Sequence, residues 1–205
     1  MARPKRQDAR REYLVAAARA AIVRRGLAFT RVRDVADQAG VATGTVTYYF
    51  RELDELFDLV FAEAVSRFCT AREEEVALRE DPVLQLACVL RTGLPTEPED
   101  ELCCLLYEFS PQARRRADDA SLRRQLYERQ VALYRKVLET GAVAGVFDLR
   151  SPSSEIAANL VALEDAYGYH VMARTSMTRA QAERHLFGYA ALACGTPRLL
   201  SAAGH

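Results

Sequence analysis

Residues 30–50 read TRVRDVADQAGVATGTVTYYF. Val32, Val35, Ala36 and Ala39 recur at helical spacing and predict a short helix with one apolar face. Gly40 follows, the residue that a tight turn with positive φ favours, and Val41 plugs the turn into the core. A second short helix, about Thr43 to Tyr49, buries Val46 and is followed by an inward Phe50. Its other positions, Thr43, Gly44, Thr47, Tyr48 and Tyr49, are free to face outward. The spacing Ala36, Gly40, Val46 is that of a helix-turn-helix: a small residue, a glycine in the turn, an aliphatic in the second helix. Glycine inside so short a helix costs about 1 kcal/mol against alanine, which makes sense if backbone must approach a ligand closely. Short polar side chains, a glycine and paired tyrosines suit a DNA major groove. The competing reading of Tyr48 and Tyr49 is core packing.

Upstream, Leu14, Ala17, Ala18, Ala21 and Ile22 form an apolar stripe on a helix expected from Ala9 to Arg25. Arg24 and Arg25 complement its C-terminal dipole, and Gly26 is the expected left-handed cap. Leu27 and Phe29 enter the core, and Thr30 is the expected N-cap of the next helix. Residues 1–8 are a basic arm in which Pro4 and clustered charge argue against stable structure. Such an arm could reach phosphates or a minor groove.

The chain has 205 residues with net charge zero, 50% hydrophobic and 27% charged, so it holds enough apolar material for a sizeable core. The charge is unevenly spread. Residues 1–51 carry 11 Lys+Arg against four acids, a net +7, which leaves −7 on the remainder. A positive head on a negative body fits a polyanion for the head alone. Five cysteines have no C-x-x-C spacing and no secretory signal is visible, so reduced thiols and a cytoplasmic location are expected. No apolar run approaches the ~20 residues of a membrane span. The sequence shows no phosphate loop, dinucleotide fingerprint, nucleophile elbow or zinc-protease motif, so no enzyme, cofactor or catalytic residue is expected. His170, His185 and His205 lack metal spacing, and no metal site is expected. Glu164, Asp165 and His170 read as dimer-interface or surface polar groups.

From Leu53 onward the pattern is helical throughout. A fourth helix is expected from Leu53 to about Arg79, with Arg72–Glu80 as a charged, solvated segment. Asp81 caps a fifth, with Pro82 at its first position. GLPTEPE at 93–99 is a loop, and a strongly apolar helix follows over about Glu99–Phe109. A long amphipathic helix runs about Ser121–Thr140 and ends at Gly141. Ser151 or Ser153 caps a helix over Ser154–Met172, Thr178 caps one reaching Cys194, and residues 195–205 are expected to fray. The expected class is all-α: an N-terminal three-helix helix-turn-helix DNA-binding domain (residues 1–52 with the basic arm) plus a larger helical ligand-binding and dimerisation domain (53–205).

The segment GLAFTRVRDVADQAGVATGTVTYYFRELDELF resembles the DNA-binding domain of the TetR family of bacterial one-component transcriptional regulators. The residues that carry the resemblance are Gly26, Thr30, Val32, Val35-Ala36, Ala39-Gly40-Val41, Gly44-Thr45-Val46, Tyr48-Tyr49-Phe50 and Asp54-Glu55-Leu56. It covers about residues 9–60; beyond that only length and helical character are comparable. The resemblance implies a homodimer through the last two helices, a double-stranded DNA operator with palindromic half-sites, and a small-molecule effector that releases a repressor. It implies phosphate contact by Thr30 and Tyr49 and base-edge contact by Thr43, Gly44, Thr47 and Tyr48, with Thr45 in the same helix. Three positions depart from the family habit. Ala42 stands where Ser or Thr often caps, Thr47 replaces a common tyrosine, and Leu53 replaces a phosphate-binding lysine for whose charge Arg51 is the expected substitute.

The resemblance also implies a ligand cavity in the body, and Cys103, Tyr107, Glu108, Tyr127, Tyr134 and Tyr169 are its candidate lining. Glu108, on an apolar helix, reads either as an effector contact or as a salt bridge to an arginine of 114–116 or 123–124. Adjacent Cys103-Cys104 read as core thiols, with a thiol sensor as the alternative. Two other classes stay open at this point: a helical small-molecule-binding protein or enzyme with an incidental basic head, and a DNA binder without sequence preference.

Overall fold

A computed structural model describes residues 3–109 and 117–202, and among them every regular element is helical. Ten α-helices follow in order: α1 Arg3–Arg25, α2 Val32–Ala39, α3 Thr43–Tyr49, α4 Leu53–Ala77, α5 Pro82–Thr92, α6 Glu101–Glu108, α7 Ala117–Val143, α8 Ser153–Met172, α9 Arg179–Ala193 and α10 Arg198–Ala202. A 3₁₀ turn, Leu27–Phe29, joins α1 to the segment before α2. The chain divides into two compact units, one of Met1–Ser66 with Glu101–Arg123, the other of Arg67–Asp100 with Arg124–His205.

In the first unit, Leu14, Ala18 and Ile22 of α1 are buried together with Val35 and Ala36 of α2, Val46 of α3 and Phe50. α6 belongs to this unit although it lies some 50 residues beyond the recognition segment. The second unit has its own core, in which Leu86 and Leu90 (α5), Leu138 (α7), Leu160 (α8), Phe187 (α9) and Leu199 (α10) are all buried.

Several sequence expectations are corrected. Residues 3–8 of the arm are helical: α1 begins at Arg3, because Pro4 falls in the first turn, where its missing N–H is no loss. The N-cap of α2 is Arg31 and not Thr30; the Asp34 carboxylate accepts the Arg31 N–H at 2.8 Å. Gly141 does not end α7. It is buried, and the Phe147 ring lies 2.2 Å from where a Cβ would be. The stop comes at Gly145, with φ of 67°. α8 has Pro152 at its N-cap with no side-chain cap, and Ser153 Oγ instead donates to Glu139 at 2.8 Å. The chain after Gly195 does not fray at once, since α10 buries Leu199.

The largest correction concerns charge. Arg72, expected in solvent, is 2% exposed. Its guanidinium donates to Glu164 Oε1 (2.7 Å), the Gln130 side-chain oxygen (3.0 Å) and the Val89 carbonyl (3.0 Å). The Tyr134 hydroxyl donates to the same Glu164 oxygen. Glu164 is therefore an interior group, not a surface or interface one. Gly93 makes room for it: a Cβ there would sit 1.7 Å from Glu164 Oε1. Burial pushes the Glu164 carboxyl up to about 7, against the pull of Arg72. Burial likewise raises the Tyr134 hydroxyl well above its ordinary value, reinforced by Glu164.

A carboxyl whose folded value lies near 7, against an ordinary 4.5, binds its proton more tightly folded than unfolded. The stability it contributes is full below about 4.5 and is lost as pH rises through about 7. Urea unfolding at pH 5 and pH 8 should show wild type losing on the order of 2–3 kcal/mol more than Glu164→Gln over that window. Equal pH slopes in the two proteins would remove this role.

Candidate nucleic-acid interface

α3 has only seven residues and no side-chain hydrogen bond at its Ala42 N-cap. Helices this short do not persist alone, so its neighbours fix its pose. Val46 and Phe50 are buried beneath it. From α1, the Arg11 guanidinium donates to the Tyr49 carbonyl at 2.7 Å, lies 4.3 Å from the Phe50 ring centroid, and pairs with Glu55 at 2.8 Å. The Tyr13 hydroxyl donates to the Ala39 carbonyl at 2.9 Å and so holds the C-terminal end of α2. These two anchors were missed from sequence, where Arg11 counted only as charge; contacts across 38 and 26 residues leave no local signature.

The outer face of α3 is open. Thr43, Gly44, Thr47 and Tyr48 are exposed, Thr45 and Tyr49 half-buried, and Tyr48 is 73% exposed. The Tyr48 and Tyr49 rings meet edge to face at 5.1 Å, a geometry aromatic pairs favour. Nothing lies within 4 Å of a Cβ built on Gly44, so backbone there is accessible. The Thr47 hydroxyl lies 3.3–3.4 Å from the Gly44 and Thr43 carbonyls. Arg33 and Arg51 are exposed and form no ion pair among the described residues. Arg51 thus keeps its charge available beside Leu53.

Thr30 is placed differently from the rest of the set. Its side chain is fully buried, its hydroxyl donates to the Gly26 carbonyl at 2.8 Å, and its N–H donates to the Leu27 carbonyl at 3.3 Å. Both donors are engaged within the head.

The six effector candidates divide between the two units. Cys103, Tyr107 and Glu108 lie on α6 in the first unit; Tyr127, Tyr134 and Tyr169 lie in the second. Tyr127 and Tyr169 are exposed, and Tyr134 is buried on Glu164. Glu108 is exposed, and its Oε2 accepts the Leu27 N–H at 2.7 Å; the pairing with Arg114–Arg116 lies outside the described residues. Cys103 is buried and Cys104 partly so, and neither is disulfide-bonded among the described residues. Burial pushes the Cys194 thiol up to about 12, which makes it a poor nucleophile.

The second unit contains a half-open cavity of about 490 Å³ between α4, α5 and α7. Val76, Leu133 and Val137 give it an apolar floor, and Glu73, Arg129, Lys136, Gln85 and Thr140 are polar members of its lining. Arg129 is neutralised by Glu73 at 2.7 and 3.0 Å, whereas Lys136 has no ion pair among the described residues. None of the six sequence candidates lines this cavity. Among the described residues no group of His, Cys, Asp and Glu could hold a metal ion, and no helix is long and apolar enough to cross a membrane.

Residues 14–60, which include the buried face of α1 and all of α2 and α3, match the sequence profile of bacterial regulatory proteins, tetR family. This head is a TetR-family head. Solved structures share the fold along almost the whole chain. A putative transcriptional regulator from Saccharomonospora viridis in complex with choline is 21% identical, with TM-score 0.82, over 89% of this chain and 95% of that one. A TetR transcription regulator from Haloarcula marismortui is 23% identical, with TM-score 0.80, over 91% and 98%. The regulator FadR from Bacillus subtilis in complex with stearoyl-CoA is 18% identical, with TM-score 0.70, over 90% and 98%. No curated protein matches the chain.

The TetR-type head offers a direct test of the inward threonine. Thr30→Val keeps the shape and removes the hydroxyl donated to Gly26, so thermal unfolding should show a loss of about 1 kcal/mol. No loss would mean that this bond contributes nothing to the head.

Proposed function

We propose that this protein is a ligand-responsive transcriptional repressor that binds a palindromic operator as a homodimer and is released by a small-molecule effector. The observation that carries the reading is the exposed face of α3, with Gly44 open and Tyr48 73% in solvent, on a segment of net +7. In this reading Thr43, Gly44, Thr47 and Tyr48 meet base edges, Tyr49 and Arg51 meet phosphates, and Thr45 lies among them in the same helix. Thr30 acts by positioning the start of α2. We draw the functional boundary at 52/53: residues 1–52 read DNA and 53–205 serve effector binding and dimerisation.

Apolar residues left in solvent on α8 and α9 support pairing through the last two helices. Ala162, Ala166 and Tyr169 are exposed on α8, and Leu192 on α9 is 77% exposed. Isologous pairing there would present two heads to half-sites about one helical turn, ~34 Å, apart. The cavity floored by Val76, Leu133 and Val137 is a candidate effector site, and Lys136, which has no ion pair among the described residues, favours an anionic group. Choline and stearoyl-CoA in the two complexes above are ligands of those proteins; they support a small-molecule effector here without naming it.

Selection of operators from random DNA, followed by gel shifts at fixed salt, tests the reading. Wild type should prefer the selected inverted repeat by at least about 10³-fold over random DNA. Tyr48→Ala should weaken operator binding by about 1–3 kcal/mol while leaving random-DNA affinity nearly unchanged. Equal affinity for all sequences would refute a specific reader. For the dimer, Leu192→Glu should shift sedimentation from dimer to monomer at micromolar concentration; an unchanged dimer would place the interface elsewhere.

A further inference from the structure

α6 is tied to the head at both ends. In its first turn Glu101 pairs with Arg19 Nε at 3.1 Å, and the same guanidinium reaches Glu63 of α4 at 2.8 Å. Just past its last turn, the Phe109 ring stacks on Phe61 of α4 with centroids 4.7 Å apart and planes 12° apart. Between these anchors, Glu108 Oε2 accepts the Leu27 N–H at 2.7 Å, across 81 residues of sequence.

That N–H belongs to the Gly26–Leu27 peptide. The carbonyl of the same peptide accepts the Thr30 hydroxyl at 2.8 Å and the Phe29 N–H at 3.3 Å. One peptide is therefore held from two sides: by α6 on its N–H, and by the residue leading into α2 on its C=O. Gly26 has φ of 82° and ψ of 149°, a conformation in which side chains are strained, so the peptide's orientation depends on glycine and on these bonds. Without Glu108, the Leu27 N–H at the start of the 3₁₀ turn would have no helical partner. A carboxylate acceptor makes the bond one of the strong, charge-assisted kind.

We propose that Glu108 is a positioning residue for DNA recognition. It fixes the Gly26–Leu27 peptide and, through Thr30, the start of α2, so that a displacement of α6 is felt by the helix-turn-helix. The inference rests on the head being a DNA reader. It gives Glu108 a role different from effector contact, because the oxygen in question is engaged by backbone of the head.

The test uses the full-length ¹⁵N-labelled chain. Leu27 amide hydrogen exchange and affinity for the selected operator are measured in wild type, E108A and E108Q, with circular dichroism as the control for folding. In E108A, Leu27 exchange should accelerate by at least about tenfold and operator affinity should fall by about tenfold, since each factor of ten corresponds to a net hydrogen-bond contribution of about 1.4 kcal/mol. E108Q, whose amide oxygen can still accept, should stay within about threefold of wild type on both counts. If E108A does not fold, E108M, which keeps the aliphatic stem without the acceptor, takes its place. Unchanged Leu27 exchange would overturn the bond in solution. Faster exchange with unchanged operator affinity would overturn the positioning role alone. A wild type that selects no operator would overturn the DNA reading, and this role with it.

Discussion

A seven-residue helix cannot hold its own shape in water, and the head of this protein is built around that constraint. α3 has no side-chain cap and a glycine at its second position, so little of its stability is intrinsic. Val46 and Phe50 anchor its underside, and Arg11 grips the Tyr49 carbonyl at its far end. Because the inward residues bear all the packing, the outward ones are free of structural duty. The open Gly44 and exposed Tyr48 follow from that division. A rigid small platform with a surface left free for chemistry is what sequence readout of a groove demands.

The second unit follows a different logic. Its core is mostly apolar, yet it encloses Arg72, Glu164, Tyr134 and Gln130. Removing such charges from water costs several kcal/mol each, and pairing offsets that cost only when the geometry is good. Here Glu164 receives Arg72 and Tyr134 on one oxygen while Gly93 leaves it room. Burial raises the carboxyl towards neutrality even so. A packing of α4, α5, α7 and α8 that separated Arg72 from Glu164 would leave a buried charge unpaired.

Much of the fold was legible in the sequence because periodicity and punctuation agreed. Gly40 with φ of 63°, Asp81 accepting the Val83 N–H at 2.8 Å, and Thr178 capping α9 all fell where local chemistry put them. The outward residues of α3 were readable for the same reason: on a short helix with two inward anchors, the remaining positions are fixed by geometry. What was not legible depends on distant partners. Arg72 looked like one more charge in a solvated run because Glu164 lies 92 residues away. Gly141 looked like a stop because nothing local announces that Phe147 folds back over it. Glu108 looked like a buried carboxylate in search of a ligand, and its partner proved to be a backbone amide 81 residues earlier. Thr30 looked like a cap, but the cap fell one residue later and its hydroxyl turned inward.

In the proposed function, two copies of α3 read two half-sites on one face of a duplex. Hydroxyl-radical footprinting of the full-length protein on its selected DNA tests this most directly. Two protected patches about one helical turn (~34 Å) apart, related by the dyad of an inverted repeat, are expected. Uniform protection along the duplex, or a single isolated patch, would contradict it.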